Sequence, residues 1–287
     1  MSDNRHASGW HDIRYLFLSL NLWLCLGSVI LVVATAMALA VPVRSIGAGL
    51  LLPACACLVV YIEDRRRIAP EDRINAPRRS ALVETYAGEL RLLVLGGFVA
   101  YQAIVVWFAA SIGANQIKYV LAGQLPFLVG VIYPRLKRFP VLDSAAVAAV
   151  WAFVPTYAVL ITTGHPVDRS VAVVVAAWML IVFAGAESRN IQHRIGDVQA
   201  DKPGIVMFLG ERSTAAGIVG LKLAGVLVLV AATTPGAGAV AGAYLLVLWY
   251  FRWVERRTCR GATELDRELP AARAGVTSQE RATPVSD

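Results

Sequence analysis

The sequence predicts an all-α protein, a polytopic bundle of about eight transmembrane helices with its charged loops and both termini on one side of the bilayer. Three observations predict it. Of 287 residues, 57% are hydrophobic and 16% charged, with a mean hydropathy of +0.60, whereas a soluble domain carries about 25% charged residues. Eight apolar stretches approach the roughly 20 residues that a bilayer core about 30 Å thick requires. Lys and Arg crowd alternate loops, as cytoplasmic loops retain positive charge.

The stretches run approximately over residues 15–40, 43–62, 90–112, 117–133, 144–163, 170–186, 215–232 and 237–254. Arg5 and Arg14 precede the first. Seven arginines from Arg65 to Arg91 separate the second and third, and Arg135, Lys137 and Arg138 separate the fourth and fifth. Arg189, Arg194, Lys202 and Arg212 lie between the sixth and seventh, and seven more arginines occupy Arg252 to Arg281. Of 27 Lys and Arg, only Arg44, Lys118 and Arg169 fall in the opposite loops, and Lys222 lies inside a span. The expected organisation is a cytoplasmic N-terminus over 1–14, a transmembrane domain over 15–254 and a disordered cytoplasmic tail over 255–287, in the plasma membrane. The tail is polar and has no periodic apolar face.

Rival classes fit less well. The net charge of +7 follows membrane topology rather than a basic face, and no nucleic-acid module is visible. Ala38-Leu39-Ala40 resembles a signal-peptide cleavage site, but the apolar run before it is too long, so the first helix is expected to be retained. Cys25, Cys55, Cys57 and Cys259 form neither a disulfide framework nor a metal spacing.

Chemistry is therefore sought in three loops on the basic side. Between the second and third helices, Glu63, Asp64, Glu71 and Asp72 share a short segment with six arginines. Carboxylates at a membrane helix end need a counter-ion or a metal, so this loop is either a salt-bridged collar or a cation site. Between the sixth and seventh helices, Asp197 and Asp201 are four apart and would share one helix face. They could hold Mg²⁺, which is typically bound by one or two carboxylates plus phosphate oxygens. A solvated helix face is the plainer alternative. Lys202-Pro203-Gly204 then ends the helix and supplies a point charge for phosphate. In the third loop, Tyr133 is followed by Lys137-Arg138, which serves either topology or anion binding.

Taken together, these motifs resemble the UbiA superfamily of intramembrane prenyltransferases. Asp72, Asn75, Pro77 and Arg79 match the Asp-x-x-Asn-x-Pro-x-Arg end of that family's first motif, with Asp64-Arg65 at its start. The run from Asp197 to Ile205 resembles the second aspartate motif, and Tyr133 with Lys137-Arg138 resembles the tyrosine and Lys-Arg after the fourth helix. The resemblance implies a bundle around a central chamber, binding an isoprenyl diphosphate and a hydrophobic acceptor. It implies Mg²⁺ held by Asp64, Asp72, Asp197 and Asp201. It assigns Arg65, Arg79, Lys137, Arg138 and Lys202 to the diphosphate, with Asn75 and Tyr133 shaping the site. The reaction it implies is ionisation of the diphosphate and transfer of the prenyl chain to a small aromatic or lipidic acceptor. Cyclisation, chain elongation and non-catalytic isoprenoid binding are the alternatives, and oligomeric state is left open. The pattern departs from the family at Ile68, which stands where a middle aspartate is usual, at Pro70, and in lacking a ninth apolar run.

Overall fold

The computed structural model describes residues 13, 15–68, 72–73, 76–112, 116–139, 141–199, 204–232 and 236–254, without the side chains of 116, 192–199 and 232. Asn75, Asp201, Lys202, the terminus over 1–12 and the tail over 255–287 lie outside the described residues. Among those described, every regular element is helical. In chain order they are α1 (Trp23–Ala38), α2 (Leu51–Arg66), α3 (Pro77–Thr85), α4 (Ala87–Ile112), α5 (Gln116–Gly123) and α6 (Leu125–Leu136). They continue as α7 (Leu142–Thr163), α8 (Arg169–Gln199), α9 (Ile205–Leu209), α10 (Glu211–Ala232) and α11 (Gly236–Val254). Among the described residues seven segments are long and apolar enough to cross a membrane, and the 16-residue α1 is a shorter apolar helix.

The first apolar run is not one helix, because the chain closes it twice. At its start, Leu22 N–H donates to Phe17 C=O and Asn21 N–H to Leu18 C=O while Asn21 adopts φ +60°. That is a Schellman end, with Asn in the left-handed position that asparagine tolerates best after glycine. The helix restarts at once as α1. The same bonds recur at its far end, where Val41 N–H reaches Ala36 C=O and Ala40 takes φ +54°.

Helix α7 is the axis of the bundle: 61% of its apolar window is buried, against 17% for α4 and 11% for the α5–α6 segment. The outer helices turn Leu92, Leu95, Val99, Trp107, Leu128 and Val131 outward, an apolar surface too continuous for water and suited to lipid. Several polar groups inside are paired across helices. Gln102 and Gln124 exchange reciprocal amide hydrogen bonds of 2.9 and 3.0 Å. Tyr101 and Tyr157 donate to the carbonyls of Gly123 and Tyr119, and Trp178 Nε1–H donates to Thr35 Oγ1 at 2.9 Å. Those amides are thus interhelical glue.

Helices α8 and α10 approach through Gly225, where an added Cβ would lie 2.6 Å from Ile181 Cγ1 and 2.8 Å from the Ala177 carbonyl oxygen. A backbone oxygen cannot step aside cheaply. Gly225→Ala is therefore expected to destabilise the protein by roughly 1–3 kcal/mol, while Gly217→Ala, which meets nothing within 4 Å, is not. Thermal denaturation in one detergent checks the difference.

Candidate active site

The last two turns of α2 build the site, and helical periodicity divides their charges into two sets. Glu63, Arg66 and Arg67 fall on the outer side, where Arg66 Nη1 and Arg67 Nε donate to Glu63 at 2.6 and 3.4 Å. Arg73 pairs with Glu84 at 2.9 Å, both well exposed. These contacts are the salt-bridged collar. Val60, Tyr61, Asp64 and Arg65, one turn apart on the inner side, line a cavity instead.

The inner charges interlock. Asp72 Oδ1 accepts from Arg65 Nη1 at 3.2 Å and from Arg79 Nη2 in a shorter contact. Asp64 Oδ1 accepts from Lys137 Nζ at 2.9 Å. The Arg79 side chain is only 5% exposed. Its burial, with repulsion from Arg65, lowers the guanidinium pKa to about 10, so it is still a cation at neutral pH. Arg65 Nε is buried and has no hydrogen-bond partner among the described residues. An orphaned charged donor beside a cavity calls for an acceptor supplied from outside the protein.

Lys137 stands at the C-terminal cap of α6, its N–H donating to the Tyr133 carbonyl. The ammonium also sits 4.9 Å from the Tyr133 ring centroid. From the opposite wall, Asp143 and Ser144 open α7, with Ser144 N–H donating to Asp143 Oδ1 at 2.7 Å. Asn190 Nδ2 donates to Ser144 Oγ and to Glu187 Oε1, both at 3.2 Å.

These groups surround one end of a cavity of about 150 Å³. Its other walls are apolar: Val129, Val147, Val150 and Trp151, the last stacked on Tyr61 with centroids 5.6 Å apart. A second cavity of about 80 Å³ lies among α1, α2, α7, α8 and α11 and shares Tyr61, Trp151 and Arg189 as a common wall.

The sequence-derived site is thus distributed as follows. Asp64, Arg65, Asp72, Tyr133 and Lys137 line one cavity, and Arg79 is held behind it through Asp72. Arg138 is exposed and lies outside the cavity lining. Asp197 belongs to α8, which is described as far as Gln199; its side chain lies outside the described residues, as do Asn75, Asp201 and Lys202. Asp143, Ser144, Arg189 and Asn190 were missed. The sixth span was expected to end near Ala186, whereas α8 continues to Gln199 because no proline intervenes before Pro203, which carries Arg189 and Asn190 into the cavity on a helix. A polar pair opening an apolar run, as Asp143-Ser144 does, was the available signal for the other two.

A helical bundle with lipid-facing apolar walls and a cavity lined by charged groups and by apolar side chains defines a multi-pass membrane protein. The sequence pattern of the UbiA prenyltransferase family matches residues 69–266, and the chain belongs to that family. Among solved structures it is similar to a UbiA homolog from Archaeoglobus fulgidus bound to GPP and Mg²⁺. The TM-score is 0.53 at 19% identity, covering 84% of this chain and 86% of that one, a likeness of fold. Among curated proteins none matches.

Proposed function

We propose that this protein is an intramembrane prenyltransferase that ionises an isoprenyl diphosphate and transfers the chain to a small aromatic or lipidic acceptor. The carrying observation is the Arg65 guanidinium, buried at the charged end of an apolar cavity with Nε–H unpartnered. Lys137 beside it, with Arg79 behind, gives a cationic seat for a diphosphate whose hydrocarbon lies along Val147, Val150 and Trp151. A cavity near 150 Å³ takes a group of about benzene size, so it seats the head of the substrate and the chain extends beyond it. Arg138 and Lys202 are proposed as further partners of the diphosphate and Asn75 as a residue that shapes the site, on the motif resemblance alone.

The GPP and Mg²⁺ in the Archaeoglobus fulgidus homolog support an isoprenyl diphosphate substrate and a divalent cation here. Asp197 and Asp201 offer the oxygen donors Mg²⁺ prefers and would share it with phosphate oxygens, where it would neutralise charge. The carbon–oxygen bond to the diphosphate breaks with its electron pair leaving on oxygen, and Lys137 and Arg65 stabilise that charge. The allylic cation left behind faces Tyr61 and Trp151, whose rings can stabilise it, in a cavity whose apolar walls exclude water. The acceptor supplies the electron pair for the new bond and loses a proton. The basic loops support a cytoplasmic side for this mouth and for both termini, and the plasma membrane is the location assigned in this proposal.

The test is product analysis. Purified protein with Mg²⁺ and geranyl, farnesyl or geranylgeranyl diphosphate is expected to give a prenylated product only when an aromatic or lipidic acceptor is present. Hydrocarbon formed without any acceptor would identify a cyclase instead, and binding without turnover a non-catalytic relative.

A further inference from the structure

The first aspartate motif does not fit a metal ion, and we propose that in this protein it has become the anchor of a cationic diphosphate clamp. This rests on the isoprenyl diphosphate reading above.

A hard dication needs several oxygen ligands converging on one point. Here Ile68 occupies the position between Asp64 and Asp72 and offers none. The two remaining carboxylates are engaged with cations. Asp72 Oδ1 receives two guanidiniums at once, from Arg65 and Arg79, and Asp64 Oδ1 receives Lys137 Nζ at 2.9 Å. All five side chains are at least four-fifths buried, so water does little to screen them. Among the described residues, no three His, Cys, Asp or Glu side chains group closely enough to hold a metal.

Charge points the same way. Three cations against two carboxylates leave this cluster with a net positive charge before any ligand arrives. A dication entering there would add to it, whereas a diphosphate neutralises it. Lys137 and Arg65 thus do, with fixed side chains, what a metal at the first motif would do, and Asp64 and Asp72 hold them in position. Asp64 and Asp72 are therefore positioning residues rather than metal ligands.

The experiment counts metal rather than turnover. Full-length protein is saturated with farnesyl thiolodiphosphate, an analogue that does not ionise readily, and bound Mn²⁺ is titrated by electron paramagnetic resonance. The parent protein and Asp64→Asn are expected to hold the same number of Mn²⁺ per chain. Their Mn²⁺ affinities should agree within about threefold, while analogue affinity falls about tenfold because Lys137 has lost its anchor. In a Lys137→Met background, Asp64→Asn should cause no further loss of analogue affinity, since the pair acts as one unit. Loss of one Mn²⁺ per chain on Asp64→Asn, or a weakening of Mn²⁺ binding by about tenfold or more, as ligand-shell mutations give, would overturn the inference and leave the substrate reading intact. Failure of the parent protein to bind the analogue at all would remove both.

Discussion

Asp72→Ala is expected to destabilise the protein by roughly 3–5 kcal/mol, the usual cost of stripping a buried ion of its counter-ion. The cost is this large because one carboxylate oxygen serves two guanidiniums, and Arg79, 5% exposed, has no route to water. The neighbouring Arg73 gives the contrast. Its pair with Glu84 leaves the two side chains 61% and 53% exposed, so Arg73→Ala should change stability by less than about 1 kcal/mol. Thermal denaturation of both variants in the same detergent reads the difference directly. Asp72→Asn should fall between them, because an amide keeps the shape and one acceptor oxygen but not the charge.

Lys137→Ala is expected to lower kcat for pyrophosphate release by about 10²–10³, the range seen when one preorganised donor to developing negative charge is removed. Lys137→Arg, which keeps the charge and can still reach Asp64, should recover most of that loss. The split between kcat and KM is informative. A residue that only binds the resting diphosphate would raise KM and leave kcat alone, whereas one that stabilises the departing pyrophosphate lowers kcat. Steady-state release assays on the three proteins, with Mg²⁺ saturating, check this.

Much of this architecture was legible in the chain because a bilayer imposes a length on each helix and a sign on each loop. The spans over 90–112 and 144–163 lie within the observed helices, and the division of basic residues between alternate loops needed no structure. Other features have purely local or purely tertiary causes. The break at Asn21 is a buried amide in a long apolar run, and the left-handed backbone that closes the helix there leaves no mark in the sequence. A helix running on toward Pro203 was legible past Ala186, but not that it continues the sixth span without a break and so turns Arg189 and Asn190 into the cavity.

The candidate site divides in the same way. Asp64, Asp72, Tyr133 and Lys137 were found as types and spacings, and the cavity lining brings them together. That Lys137 would pair with Asp64, 73 residues away, follows only from the packing of α6 against α2. The separation of Glu63 from Asp64 into outer collar and inner cluster is a consequence of helical periodicity once α2 is known to continue to Arg66. Asp197 and Asp201 rest on motif resemblance.

The most direct measurement is pyrophosphate release from geranyl, farnesyl and geranylgeranyl diphosphates by the purified protein, with and without Mg²⁺, beside Asp201→Ala and Lys137→Ala. Mg²⁺-dependent release is expected with at least one of the three substrates, reduced by about 10² or more in either variant. Release that is equally fast in the parent protein and both variants, or no release with any of the three, would contradict it.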